Sequence, residues 1–183
     1  MLSARIRIAA RLVAVAALAA MTAGCFQPMY AEHTDGTPGL RDKLMGVEIP
    51  PVDKANASRE ARVGVEIRNA LAFKLYGTAT GTPPTHRLVL RFTTSRSSLI
   101  ISPATGLPSS ENYGIDVQYN LIENATDKSV MTGTTFSRVS YDIPGSYQRF
   151  SRQRAVRDAE DRAANEVAEN ISTRLAAFFT AGT

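Results

Sequence analysis

Hydrophobic and polar positions follow two different periods along the chain, and these periods predict its helices and strands. Between Ser58 and Tyr76, apolar residues recur every three or four positions, which predicts a helix with one apolar stripe. The same spacing predicts a long terminal helix over Ser146–Phe179. Strict alternation instead predicts half-buried strands over Arg87–Thr94 and Tyr113–Ile122.

Two further segments complete the predicted sheet. Gly46–Val52 alternates briefly and meets two prolines, which indicates a short edge strand because proline cannot donate to a β-ladder. Ser129–Tyr141 is rich in β-forming residues, and its pattern shifts near Gly133, where we expect a bulge. Because each helix has one apolar stripe, the pattern predicts an α+β fold. We expect a two-layer sandwich in which a mixed sheet of about four strands carries two helices packed on one face.

The N-terminal segment has the pattern of an export signal. Met1–Arg11 carries three arginines, and Leu12–Ala20 is apolar throughout. A positive segment followed by an apolar run too short to span a bilayer is typical of a signal peptide, which we assign to residues 1–24. Residues 25–45 are then predicted to be a lipidated N-terminus and linker, and residues 46–183 a single α+β domain.

Cys25 is the only cysteine in the chain, and it directly follows Thr22-Ala23-Gly24. The stretch resembles a bacterial lipobox, in which the cysteine receives a diacylglycerol and an N-acyl chain and becomes the mature N-terminus. An ordinary cleavage site that leaves a free thiol is the alternative. Several acyl chains hold a protein stably on a membrane. Phe26 stands where an Asp is common in lipoproteins of the inner membrane, so the resemblance implies an outer-membrane anchor on the periplasmic side.

Length and composition exclude several classes of protein and site. A chain of 183 residues fits one domain, and its single cysteine excludes a disulfide framework and multi-cysteine metal sites. The chain has two histidines and lacks HExxH, GxSxG and Gly-rich phosphate-loop motifs, so we expect no enzyme and no cofactor beyond the lipid on Cys25. In the last helix, acids alternate with arginines, which indicates a salt-bridged solvent face.

Basic residues are concentrated in one part of the chain. No acid lies between Glu66 and Glu111, whereas five basic residues do: Arg68, Lys74, Arg87, Arg91 and Arg96. The forked N–H donors of an arginine side chain match the oxygens of a phosphate, so this stretch indicates an anion site. The alternative is that the basic residues are clustered by chance and lie on a solvated face of a strand. Alternation places Arg87 and Arg91 on the polar face of their strand, Arg96 lies beyond them, and Arg138 would join if the register allows.

The chain also resembles a known family, the LptE outer-membrane lipoproteins of lipopolysaccharide assembly. The stretch Gly24–Tyr30 is similar to the GCGFxPLY start of that family. Shorter matches follow within the predicted helix and strands, namely Arg68-Asn69-x-Leu71, His86-Arg87-Leu88, Tyr119-x-Leu121 and Ser140-Tyr141. The order of the predicted elements agrees over nearly the whole mature chain.

This resemblance implies a non-enzymatic protein that plugs the lumen of the β-barrel LptD and contacts lipopolysaccharide. Lipid A carries phosphates, so Arg87, Arg91, Arg96 and Arg138 become candidate lipopolysaccharide-binding residues. An auxiliary lipoprotein of an ABC-type lipid-transport system, which would link the inner and outer membranes, is the alternative. A periplasmic hydrolase is a third, less favoured interpretation.

Overall fold

A computed structural model of the chain describes residues 38–77, 82–101, 106, 108–143 and 149–181. The predicted signal peptide, Cys25 and most of the predicted linker lie outside these residues. The elements, in chain order, are α1 (Leu40–Met45), β1 (Val47–Glu48), α2 (Arg59–Tyr76), β2 (His86–Ile101), β3 (Pro108–Glu123), β4 (Lys128–Asp142) and α3 (Arg149–Ala181).

The four strands form one mixed sheet in the order β1-β2-β3-β4. β1 is a two-residue edge strand that runs parallel to β2, and the other neighbouring strands are antiparallel. A parallel pair needs a crossover connection, and α2 lies within the connection between β1 and β2. The predicted α+β fold with a mixed four-stranded sheet is therefore confirmed, as is the short edge strand.

The three long strands extend beyond their predicted limits. β2 continues through the polar run Thr93–Ser98, and β3 begins at Pro108 rather than at Tyr113. These additions were missed because their side chains are mostly polar, whereas the ladder that holds them is made by the backbone, with Arg96 opposite Tyr113. At 16 residues each, β2 and β3 are about 50 Å long.

One β-bulge interrupts the pairing of β3 with β4, and its predicted position is wrong. Leu121 pairs with Met131 and Ile122 with Ser129, so the extra residue is Val130 and not Gly133. Gly133 instead makes room for Tyr119, because a Cβ atom there would lie 2.3 Å from the tyrosine hydroxyl oxygen. A glycine in a strand often marks such a close approach.

The two long helices begin and end near their predicted limits. α2 starts after Ser58, whose hydroxyl accepts the Ala61 N–H at 2.9 Å, and it ends at Gly77, which has a φ of 64°. α3 has 33 residues and is therefore about 50 Å long. None of the described helices combines the length and the apolar character needed to cross a bilayer.

The core lies between one face of the sheet and the helices. Leu88, Leu90 and Phe92 of β2 are buried there, together with the apolar stripes of α2 and α3. α2 comes close to the sheet, because a Cβ atom on Gly64 would lie 3.3 Å from the Phe92 ring.

A third helix, α1, was not predicted. Leu40 and Leu44 lie four residues apart on one side of α1, and both are buried in the core. The segment predicted to be linker up to residue 45 therefore contains a packed helix, and the folded unit begins at Leu40. Two leucines in six residues are too few for periodicity to indicate a helix.

Candidate anion-binding site

The pleat of the strands divides the four predicted arginines between two faces. Arg87 and Arg91 occupy odd positions of β2, opposite the buried Leu88, Leu90 and Phe92, and Arg138 lies on the same open face. Arg96 occupies an even position, and its guanidinium lies toward the helices, 5.7 Å from the ring of Tyr113. The four arginines therefore do not form one group.

Two arginines of the open sheet face have carboxylate partners. Arg87 forms an ion pair with Asp127. Arg138 donates two hydrogen bonds to Asp116, at 2.7 and 2.9 Å, and its guanidinium lies 5.4 Å from the ring centre of Phe136. Within the described part of the chain, Arg91 has no ion pair or hydrogen bond to a side chain, and it borders a hollow of about 380 Å³.

Three of the five basic residues in the basic stretch pair with acids from distant parts of the chain: Lys74 with Glu169, Arg87 with Asp127 and Arg96 with Glu160. Arg68 donates to the uncharged Ile49 carbonyl at 2.8 Å. Charge segregation along the sequence is therefore not charge segregation on the surface. An anion site therefore requires a place on the surface where arginines outnumber the carboxylates that pair with them.

Such an excess surrounds Glu160 of α3. Its side chain is only 1% exposed, and three guanidinium groups converge on it. Arg62 is hydrogen-bonded to it, Arg59 Nε lies 3.7 Å away and Arg96 Nη2 3.4 Å away. Arg59 and Arg62 belong to the first turn of α2, so the positive end of the helix dipole adds to the same field. A buried carboxylate requires partners of this kind.

A cleft of about 830 Å³ opens between the N-terminal parts of α2 and α3 beside this carboxylate. Five arginines line it: Arg59, Arg62, Arg96, Arg152 and Arg157. We call it the arginine cleft.

The rim of the arginine cleft is held by a hydrogen-bonded chain. Arg152 lies 3.5 Å from Glu111, which also accepts a hydrogen bond from the Tyr141 hydroxyl. Burial raises the pKa of Tyr141 to about 12, and the hydrogen bond to Glu111 adds to this shift. The hydroxyl donates to one oxygen of Glu111, and Arg152 approaches the other.

Sequence reasoning missed this cluster, although one signal for Glu160 was present. The acids of the last helix were expected on a solvent face, but Glu160 lies four residues after Val156 and seven before Val167, within the apolar stripe. An acid on a buried stripe predicts a basic partner. Among the described residues, no group of three or more His, Cys, Asp or Glu side chains is arranged to hold a metal ion.

We expect Glu160→Gln to lower the free energy of unfolding by roughly 1–3 kcal/mol, because three guanidinium groups lose their shared counter-charge. Asp158→Asn is the matched control. It breaks an exposed ion pair with Arg162 on the same helix and should cost at most about 0.5 kcal/mol. Urea unfolding of both variants measures the difference, and equal losses would contradict a structural role for the cluster.

A solved structure shares this fold. A protein from Caulobacter crescentus CB15 described as a lipoprotein is 22% identical, with a TM-score of 0.60 over 79% of this chain and 97% of that chain. A minor lipoprotein from Acinetobacter baumannii is 13% identical, with a TM-score of 0.47 over 72% of this chain and 88% of its own. Rare lipoprotein B from Shewanella oneidensis is 15% identical, with a TM-score of 0.43 over 70% of this chain and 94% of its own.

The Caulobacter structure supports the fold, and the other two are too distant to support an argument. No curated protein sequence matches the chain. The model of one family, LptE, described as lipopolysaccharide assembly, matches residues 44–175. That range includes the whole sheet and most of α3. The chain therefore belongs to the LptE family of lipopolysaccharide-assembly proteins.

Proposed function

We propose that the chain is a lipid-anchored outer-membrane lipoprotein that assists lipopolysaccharide assembly as the partner of an LptD-type β-barrel. The observation that carries this proposal is the family match over residues 44–175, which spans the sheet, α2 and most of α3. LptE proteins are non-catalytic lipoproteins, and the role proposed here is accordingly one of binding, without a metal or an organic cofactor.

The proposed anchor is Cys25. Its support is the apolar run Leu12–Ala20, the small residues before the cysteine and the absence of another cysteine in the chain. A diacylglycerol and an N-acyl chain together give stable attachment, since one acyl chain alone binds only marginally. Phe26 in place of an Asp favours the outer membrane.

The proposed surface for the barrel is the open face of the sheet. In the described part of the chain no helix covers this face, and Phe136 stands on it with 63% of its side chain exposed. Its ion pairs, Arg87–Asp127 and Arg138–Asp116, leave it with little net charge. β2 and β3, at about 50 Å, are as long as a bilayer with its headgroups is thick. A plug of this length would contact a barrel wall over most of its height.

Lipidation is tested by labelling cells with a fatty-acid analogue. We expect the protein to be labelled and Cys25→Ala to abolish the label, because the cysteine is the proposed acceptor. Cys25→Ser is a matched variant that keeps the size of the side chain and should also remain unlabelled. Unlabelled wild-type protein, with a mature N-terminus elsewhere than residue 25, would disprove the anchor.

The barrel complex is tested by co-expression with the LptD of the same genome. A form lacking residues 1–25 and exported by a cleavable signal should still co-purify with the barrel, because a plug buries more than the roughly 1,600 Å² of a standard interface. Phe136→Asp should reduce the recovered barrel. Phe73→Asp on α2, where the ring is 68% exposed, is the matched control and should not.

Two outcomes would contradict this assignment. Recovery of the truncated chain without any barrel would show that the anchor, rather than the plug, makes the association. Recovery of an inner-membrane transporter complex instead would favour the auxiliary lipoprotein of an ABC-type system.

The sheet-face arginines remain proposed lipopolysaccharide contacts. We expect Arg87→Ala/Arg91→Ala to weaken lipopolysaccharide binding about two- to threefold at low salt and less at high salt, because exposed charges are screened. Stability should change by less than about 0.5 kcal/mol per residue, since both side chains are on the surface. Binding and thermal melting are measured on the same samples. Unchanged binding would exclude these arginines from the site, and a large loss of stability would make them structural.

A further inference from the structure

The two outer edges of the sheet carry backbone groups that could pair with a further strand. β4 is an edge strand of 15 residues, and β1 pairs with β2 only at His86 and Arg87. A long open edge is a template for strand addition by another chain unless something blocks it. β4 contains no proline, and Arg138, the charged residue in its middle, is bonded to Asp116. Its own residues therefore do little to prevent pairing.

The pairing of β3 with β4 determines which backbone groups of β4 face outward. The Ile143 N–H donates to the Ser109 carbonyl at 2.9 Å, in line with the register of the two strands. Hydrogen-bonded and non-hydrogen-bonded pairs alternate in an antiparallel ladder, so the odd-numbered residues of β4 bond to β3. The outward N–H and C=O groups after the bulge are those of even-numbered residues, among them Thr134, Phe136, Arg138 and Ser140.

Two arginines of α3 donate to two of these outward carbonyls. Arg174 Nη1 lies 2.7 Å from the Thr134 oxygen, and Arg162 Nη2 lies 3.3 Å from the Ser140 oxygen. The arginines are twelve residues apart in α3, a rise of about 18 Å, and the carbonyls six residues apart in β4, a span of about 20 Å. Each arginine takes an acceptor that an added strand would need and places a charged group in its path.

The opposite edge of the sheet is blocked in the same way. The His86 N–H donates to the Gly46 carbonyl at 3.1 Å, so the even-numbered residues of β2 face outward on the side of β1. Beyond the end of β1, Lys54 Nζ donates to the outward carbonyl of Phe92 at 3.0 Å. A basic side chain from outside the sheet therefore ends on an edge carbonyl at both edges. This repetition indicates a common role for the contacts.

Between its two arginine contacts, β4 is open. Among the described residues, none bonds to the outward N–H and C=O groups of Phe136 and Arg138. A hollow of about 530 Å³ lies beside this part of the edge, and Phe136, Glu166, Asn170 and Arg174 contribute to its lining. Two open residues between two occupied carbonyls are too few to hold a strand, because strands usually have three residues or more.

We propose that Arg162 and Arg174 keep the chain monomeric by blocking antiparallel pairing of β4 with β4 of a second copy. This property goes beyond the proposed function and does not depend on it.

β4 is self-complementary about Ser137, which is why the second copy is the partner. A two-fold axis at Ser137 places Phe136 of one copy opposite Arg138 of the other, and Thr134 opposite Ser140. All of these residues face outward, so every pair can exchange two hydrogen bonds. The Arg138 guanidinium lies 5.4 Å from the Phe136 ring within one copy, and the same attraction can act across the axis. The carbonyls that the arginines occupy belong to the outer pairs, so the contacts prevent the ladder from closing.

The test variant removes both donors and keeps the side chains long. Arg162→Met/Arg174→Met should lower the melting temperature by less than about 5 °C, because both arginines are exposed. Arg162→Lys/Arg174→Lys keeps a donor and a charge at both positions and should remain monomeric. Arg152→Met/Arg157→Met is the matched control, because it makes the same changes in α3 at the arginine cleft.

Two single variants separate the edge contacts from the other contacts of these arginines. Arg162 is also paired with Asp158, and Arg174 also donates to the Tyr119 hydroxyl at 3.3 Å. Asp158→Asn and Tyr119→Phe remove those contacts and leave the edge carbonyls occupied. Both variants should remain monomeric.

The measurement is sedimentation equilibrium of residues 26–183, which include the whole folded unit that begins at Leu40. At about 100 μM we expect the wild-type chain to be monomeric and the double Met variant to be at least half dimeric. Arg174→Met alone should dimerise at a roughly tenfold higher concentration, because one contact remains. In the dimer, hydrogen exchange of the Phe136 and Arg138 amides should slow by roughly tenfold or more, since they become bonded. The odd-numbered amides, already bonded to β3, should change little.

Several results would overturn the proposal. One is a folded double Met variant that stays monomeric; should that variant fail to fold, a monomeric Arg174→Met at the higher concentration decides in the same way. Dimers with unchanged exchange at Phe136 and Arg138 would place the association elsewhere. Equal dimerisation of the double Lys variant or of the cleft control would show that occupation of the edge carbonyls is not the cause. A monomeric Met variant that recovers more barrel on co-expression would assign the edge to a strand of the barrel.

Discussion

Alternation along β2 is the constraint on which the other arrangements depend. Leu88, Leu90 and Phe92 are buried against the helices, so the even positions from Leu88 to Arg96 face the core layer and the odd positions between them face away. Arg91 therefore lies in solvent, whereas Arg96, five residues later on an uninterrupted strand, points into the helix layer. A charged group directed inward needs a carboxylate, and α3 provides Glu160 at that point.

The Glu160 cluster joins three of the elements that form the core. The carboxylate is in α3, two of its arginines are in α2 and the third is in β2. Burying a charge is costly, and the guanidinium groups offset that cost only while all three elements keep their positions. The cluster thus fixes how α2 lies against α3. The same arginines form one wall of the arginine cleft, so the contact that holds the core together also sets the charge of that cleft.

Local sequence pattern was sufficient to predict the two long helices and the inner faces of the strands. The limits of α2 follow from Ser58 and Gly77, and burial of its stripe follows from its spacing. The missed features are too short to show a period or depend on residues far apart in sequence. α1 has only six residues, and the ends of β2 and β3 are held by backbone pairing. The arginine cleft was not predictable, since Arg62 and Glu160 are 98 residues apart and Arg96 and Glu160 are 64 apart.

The two faces of the domain differ in the kind of partner they suit. On the sheet face, two of the arginines are matched by neighbouring acids, and an exposed phenylalanine stands among polar side chains, as in a protein–protein interface with little net charge. In the helix layer, guanidinium groups outnumber acids around an open cleft. The sheet face therefore suits a protein partner with a surface of low net charge. The helix layer suits an anionic group, because its guanidinium donors outnumber the carboxylates that hold them.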